Sequence, residues 1–325
     1  MTTFKEIRGT AIQSVSTDPT NPEVGQIWYN NTIGVLKGYQ LVAAAWAAGG
    51  NLANTRQGGA GAGTQTAGLA AGGSTAPGTT KITATEEYDG STWAAGGSLT
   101  TARAFGNAGA GSQTSAVVFG GNITPSTNSN ATEEYNGSTW GPGGNLNTTR
   151  VTQGFGIQTA AIAVGGETPP GAITGATESY DGSVWTTSPN SLNTSRANAC
   201  GAGTQTAGLL YAGAPSGTAT ESWNGTSWTT LGSLNSNKDL RGGTGTQSLA
   251  FAAGGRPITT ETEVWNGTSW SISASLATQR FGLGGAGTNT AGLVFGGNAP
   301  TPATYLAATE EFTGAFLSTK KITTS

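Results

Sequence analysis

Apolar residues in this chain come in short runs closed by glycine, and nowhere with the 3.6-residue spacing of a helix face. The runs "GLAAGG" from Gly68, "AVVFGG" from Ala116, "AIAVGG" from Ala161, "GLLYAG" from Gly208, "AFAAGG" from Ala250 and "GLVFGG" from Gly292 each follow polar text such as "GTQT". They predict short strands. A variable insert comes next, and then a ten-residue phrase: "ATEEYDGSTW" from Ala84 to Trp93, "ATEEYNGSTW" from Ala131 to Trp140, and close copies ending at Trp185, Trp228 and Trp270. A worn form, "ATEEFTGAF", ends at Phe316. Each phrase holds two strands about an Asp-Gly or Asn-Gly pair, the signature of a two-residue type I′ hairpin. With Asp89-Gly90 at the tip, Glu86 is expected opposite Trp93, and Glu86, Tyr88 and Trp93 share one face of the hairpin.

The period identifies the unit. A seventh tryptophan, Trp46, lacks the phrase before it but carries "WAAGGNL" after, close to "WAAGGSL" at Trp93. From Trp46 the intervals are 47, 47, 45, 43 and 42 residues, then 46 to Phe316. Six units of that length, each with four short strands (a to d), are the size of propeller blades. Trp46 precedes Arg56 by ten residues, as Trp93 precedes Arg103 and Trp140 precedes Arg150. The strand holding Trp46 is therefore expected to complete the last blade and close the ring.

Each unit supplies one arginine and, in the phrase, one glutamate on the packed face. A buried carboxylate without a partner is costly, so a structural ring of ion pairs is expected: Arg56, Arg103, Arg150, Arg196, Arg241 and Arg280 with Glu86, Glu133, Glu178, Glu221, Glu263 and Glu310.

The order of Gly-Gly, aromatic, Trp and then Arg resembles the kelch repeat, whose blades carry a diglycine ending strand b, a Tyr on c and a Trp on d. The diglycines are Gly72-Gly73, Gly120-Gly121, Gly165-Gly166, Gly254-Gly255 and Gly296-Gly297, with Ala212-Gly213 as the departure. Five residues separate the aromatic from the Trp, fewer than in the usual kelch hairpin. The resemblance implies an all-β fold, a six-bladed kelch-like β-propeller of four-stranded antiparallel blades over residues 41–316, with 317–325 as a C-terminal tail; with the ring closed by the Trp46 strand, residues 313–325 become an extra edge strand or a free tail.

Residues 1–40 do not repeat. "QIWYN" and "GVLKGY", around an Asn-Thr-Ile-Gly turn, predict a β-hairpin too small to stand alone, and hence an attachment segment. This "GQIWYN…LKGY" text ahead of Gly/Ala/Thr-rich repeats looks like the virion proteins of tailed bacteriophages, marine and cyanobacterial ones especially. There it precedes such repeats in tail-fibre and related structural proteins. The resemblance implies a virion protein of the tail or tail fibre, present in several copies, held to other virion proteins through residues 1–40, with a host cell-surface ligand, plausibly a glycan.

Composition narrows the chemistry. The chain has 325 residues, 10% charged, with a formal net charge of −3, which gives no reason to expect nucleic acid. Fifty-four glycines suggest low complexity, but nine Trp and nine Phe supply the apolar bulk that disordered chains lack. No secretion signal opens the chain and no run of eighteen apolar residues suggests membrane insertion, so assembly in the cytoplasm of a bacterial host is expected. There is no histidine, so copper oxidation of the galactose oxidase type has no ligands; one cysteine, Cys200, makes neither an intrachain disulfide nor a metal cluster. No metal or cofactor is expected.

"DGSTW" faintly resembles the sialidase Asp-box, but Asn replaces Asp89 and Asp181 in three other units and suits the same turn. Outside the repeat glutamates few acids remain for a glycosidase pair, notably Glu167, Asp239 and Glu261, and an enzyme is not expected. Sequence variation collects in the b-to-c connections, on the blade face shared with the d-to-a links. Lys81, Glu167, Arg256 and Tyr305 are the side chains there with most to offer a ligand. A non-catalytic recognition surface is the leading expectation, an architectural capsid or tail decoration role the alternative, and a glycan-cleaving enzyme the third.

Overall fold

The computed structural model describes residues 12–75, 80–124, 127–239, 242–300 and 303–322. The chain forms two compact units, Ala45–Gly314 and a smaller one of Met1–Ala44 with Ala315–Ser325.

The larger unit is an all-β propeller, with six four-stranded antiparallel blades among the described residues. In blade 1 the strands are Ala60–Gly63, Gly68–Ala71, Thr85–Tyr88 and Trp93–Ala95, paired in that order. Blades 2 to 5 repeat these four strands, and blades 2 and 3 each add a short fifth, Thr127–Asn128 and Ala172–Ile173, paired to strand b. Blade 6 takes Gly284–Gly287, Ala291–Phe295 and Thr309–Thr313 from one end of the unit and Ala45–Ala48 from the other, with Trp46 opposite Phe312. The outer strand of blade 6 thus precedes blade 1 in sequence, which fastens the ring.

The six strands a line the hub, mostly with glycine and alanine, while blade 3 adds Thr152 and Gln153 and blade 5 adds Thr244. A Cβ on Gly61 would lie 2.3 Å from the Gly285 carbonyl, and one on Gly109 would lie 2.7 Å from that of Gly61, so backbone meets backbone from blade to blade. The diglycines have a different task. The second glycine, with φ near +90° to +110°, turns its N–H to the carbonyl of the next blade's basic residue: Gly73 to Arg103, Gly121 to Arg150, Gly166 to Arg196, Gly213 to Lys238, Gly255 to Arg280 and Gly297 to Arg56, at 2.8–3.1 Å. Such a φ is cheap only for glycine. In the departing pair Ala212 holds φ +61°.

The hairpin tips differ from the expected turn. Tyr88 pairs with Trp93 and Glu86 with Ala95, so the two residues at the tip are Gly90-Ser91, one position later than Asp89-Gly90. The reason lies in the Asp89 side chain, whose Oδ1 accepts the N–H groups of Ser91 (2.8 Å) and Thr92 (2.7 Å). Asn136, Asp181, Asn224 and Asn266 do the same. This side-chain turn outcompetes the backbone type I′ geometry. The partner of Glu86 moves by two residues, which leaves Glu86, Tyr88 and Trp93 on one face.

In the smaller unit the hairpin Ile27–Asn30 with Val35–Val42 gains two more strands. Gln13–Val15 adds in parallel on one side and Phe316–Lys321 antiparallel on the other, with Leu41 opposite Leu317. Of the two roles expected for these residues, 316–321 take that of an extra edge strand, because the long Val35–Val42 strand needs a partner beyond its own hairpin. For the same reason the propeller unit begins at Ala45 rather than at 41. Asp18 ties this sheet, accepting from Trp28 Nε1 (3.0 Å), Asn30 Nδ2 (2.9 Å) and Lys37 Nζ (2.5 Å). These bonds, Lys37 first, hold its carboxyl near about 2.

Candidate functional site at the channel mouth

The buried polar groups come first, because they fix the scaffold. Each phrase glutamate is a clamp on the link that enters its own blade. Glu133 accepts the N–H groups of Thr100 (2.6 Å) and Thr101 (3.3 Å) and the Arg103 guanidinium at 2.8 Å. The other pairs are Arg56 with Glu86, Arg150 with Glu178 (3.1 Å), Arg196 with Glu221 (2.6 Å) and Arg280 with Glu310 (2.5 Å). Burial pulls each of these guanidinium pKa values down and the paired carboxylate opposes that. All stay charged.

Blade 5 departs. Glu263 is met by Lys238, 1% exposed, whose Nζ lies 3.5 Å from Glu263 and 2.8 Å from Glu261. Arg241, the expected partner, lies outside the described residues. Lys238 stands where the other blades have arginine: the preceding diglycine bonds its carbonyl, and it follows Trp228 by the same ten residues that separate Trp93 from Arg103. That count was the available signal, and an argument from residue type overlooked it. Glu261 is likewise held by Lys238 and Ser236.

The hub encloses a narrow channel of about 90 Å3, walled by Gly61, Gly109, Gly154, Gly201, Gly243 and Gly285 among others. Cys200 is in that wall, and burial pushes its thiol pKa up, with the Asp239 charge adding to the effect.

A second cavity, about 190 Å3, is lined by Gln57, Phe105, Asn198, Asp239, Arg256, Phe281 and Gly282. Gln57 precedes Gly58 of the channel wall, and Gly58 donates its N–H to the Gly282 carbonyl at 2.7 Å, so this cavity forms the channel mouth. Five of the six blades contribute to it. All of the lining residues but Arg256, which follows the blade 5 diglycine, come one or two positions after the basic ring residues, where the link turns into strand a: Gln57 after Arg56, Phe105 two after Arg103, Asn198 two after Arg196, Asp239 after Lys238, Phe281 and Gly282 after Arg280.

The position two residues after the ring residue is left-handed in four blades: Gly58 (φ +65°), Phe105 (+52°), Asn198 (+56°) and Gly282 (+64°). Glycine adopts this at no steric cost, whereas a bulky phenylalanine there is strained. Two blades accept the cost of a side chain at the rim. The Phe105 ring lies over Gly58, and its N–H donates to the Gly58 carbonyl at 2.9 Å; Gly58 in turn donates to Gly282 at 2.7 Å.

Of the four residues singled out from the variable loops, two come to this mouth. Arg256 faces Asp239 across a β-bridge and lays its guanidinium over the Phe281 ring at 3.9 Å. Lys81 places Nζ 4.6 Å from the centre of the Phe105 ring. Asn198 Nδ2 contacts Asp239 Oδ2 at 3.4 Å. Glu167 and Tyr305 are not among the cavity's lining residues: Glu167 is exposed and paired between Val151 and Ile173, while Tyr305 is buried opposite Asn298, with its hydroxyl pKa raised by burial. Phe105, Asn198 and Phe281 were not singled out from the sequence. They sit in the d-to-a links, which look uniform beside the long loops.

No protein-family model matches the chain, and no curated protein matches it. Among solved structures it is similar to YjhT, with a TM-score of 0.65 over 82% of this chain and 99% of that one, at 15% identity. The likeness is one of fold. It agrees with the repeated four-stranded blades and leaves the residues of the mouth to speak for themselves.

Proposed function

We propose that this chain is a virion protein of a tailed bacteriophage, carried on the tail or tail fibre, and that its propeller presents a non-catalytic surface to a host cell-surface glycan. The observation that carries the recognition half is the mouth: side chains of five blades converge on one cavity, two of them from left-handed backbone positions, which for Phe105 is strained. Strain held in place by a rigid ring is characteristic of sites that bind. Among its described lining residues Asp239 is the one carboxylate, so the pair of acids that glycoside hydrolysis requires is lacking there.

Support for the virion half comes from the "GQIWYN…LKGY" segment. It forms a sheet in which the directly paired Leu41 and Leu317 are 59% and 47% exposed, a surface suited to attachment to other virion proteins. Several copies on one particle would turn weak single sites into firm adhesion.

Immunogold electron microscopy of intact particles with antibody against residues 45–314 tests this. Label at the tail tip or fibres is expected. Label spread over the capsid would favour decoration, and unlabelled particles would overturn the virion assignment.

A further inference from the structure

Cationic side chains are scarce in the propeller, and most of the described ones are buried in the ion-pair ring. Five arginines and Lys238 are buried against the phrase glutamates. Outside that ring the described cationic side chains of the unit are Lys81 and Arg256. Both are at the channel mouth, and each lies over a phenylalanine ring, Lys81 on Phe105 and Arg256 on Phe281. A ring beneath a guanidinium holds it flat and leaves its N–H edge for a planar partner. Such an edge matches a carboxylate with two parallel hydrogen bonds. Arg256 is exposed, so a ligand can reach that edge.

Around the same cavity are groups that suit hydroxyls. Asn198 presents an amide, and the Asp239 carboxylate, turned towards Asn198, accepts hydrogen bonds. The volume, about 190 Å3, is below that of pockets enclosing drug-sized ligands, and so fits one sugar ring rather than an oligosaccharide. We propose that the mouth binds a single carboxylated sugar ring, a uronate, with Arg256 on the carboxylate, Lys81 reinforcing the positive rim, and Asn198 and Asp239 on ring hydroxyls. This rests on the recognition reading above and names its ligand class.

The test is calorimetric titration of the full chain with D-glucuronate, methyl glucoside and acetate at low salt. Glucuronate is expected to bind at least about tenfold more tightly than either comparison ligand, with affinity falling as salt rises. Arg256→Ala removes the preference for glucuronate over the glucoside; Asn198→Ala weakens both sugars. Glu167→Gln, exposed and not among the lining residues, changes neither and serves as the control for folding. Equal binding of glucuronate and glucoside, equal binding of acetate, or an unchanged preference in Arg256→Ala overturns the proposal, as does no binding at all. Labelled tails without glucuronate binding would sink the ligand and spare the adhesin. Binding by the pure protein with unlabelled particles would support the site and sink the virion reading.

Discussion

Tyr88 in blade 1 donates its hydroxyl to Glu311 Oε1 in blade 6 at 2.5 Å, across 223 residues of sequence. The same bond joins Tyr135 to Glu87 (2.5 Å) and Tyr180 to Glu134 (2.6 Å). Where the preceding blade offers Ser179 or Ser222 instead of a second glutamate, the aromatic is Trp223 or Trp265, and its indole N–H turns to a backbone carbonyl, Gln205 or Gln247. Where it offers Val264, the aromatic is Phe312, which has nothing to donate. Each blade's aromatic thus suits the blade before it, and the pairing marks neighbours around the ring, including the pair that closes it.

These tyrosines make stability depend on alkaline pH. Burial, and then the glutamate, push the Tyr88 and Tyr180 hydroxyls up to about 12, and Tyr135 is raised for the same reasons. The unfolded value is about 10. A group whose pKa rises on folding favours the fold while it stays protonated. The contribution is therefore complete below about pH 10 and lost as the pH passes through about 12. Thermal melts across that window should fall steeply for the parent chain, and Tyr88→Phe should flatten part of the fall. A flat parent profile would contradict the assignment.

Lys238 is expected to matter as much as the arginines it replaces. Removing one partner of a buried ion pair costs about 3–5 kcal/mol, so Lys238→Ala and Arg150→Ala should each lower the denaturant midpoint clearly. Glu167→Gln, exposed, should leave it within about 0.5 kcal/mol. A Lys238→Ala protein as stable as the parent would remove Lys238 from the ring.

Closure makes a prediction about truncation. Trp46 packs on Phe312 at 4.9 Å between ring centres and donates Nε1 to Thr262 Oγ1 (3.1 Å) and the Ala274 carbonyl (3.0 Å). A chain starting at Ala45 keeps that strand, and one starting at Asn51 loses it. The first should unfold in one cooperative transition, the second at a much lower temperature. Trp46→Ala alone should cost about 3–5 kcal/mol. Equal melting of the two truncations would refute closure by this strand.

The polar turns also carry load. Gln113 donates to the Gly68 (3.0 Å) and Tyr88 (2.7 Å) carbonyls of the preceding blade, and Gln65, Gln158, Gln205 and Gln247 make equivalent pairs. Gln113→Ala leaves two buried acceptors without this donor and should cost about 1–3 kcal/mol. A loss below about 0.5 kcal/mol would show that these bonds are replaceable by water.

The blade was legible because its constraints are local and repeated: an Asn or Asp that organises the tip, glycines that turn an N–H to the next blade, a Trp ten residues before the basic ring residue. What stayed hidden depends on neighbours. The "GTQT" text reads as a plain turn until the next blade places carbonyls before Gln113. Lys238 was concealed by a nearby arginine of the expected type. Phe105, Asn198 and Phe281 gain meaning only when the ring brings their links together, while Glu167, conspicuous in the sequence, is not among the residues that line the cavity.

Competition for adsorption tests the central claim most directly. Host cells are incubated with the purified full chain, then challenged with particles. The parent chain should reduce adsorption in proportion to its concentration, and Arg256→Ala, folded to the same melting temperature, should not. No competition by the parent, or equal competition by Arg256→Ala, would contradict recognition through the channel mouth.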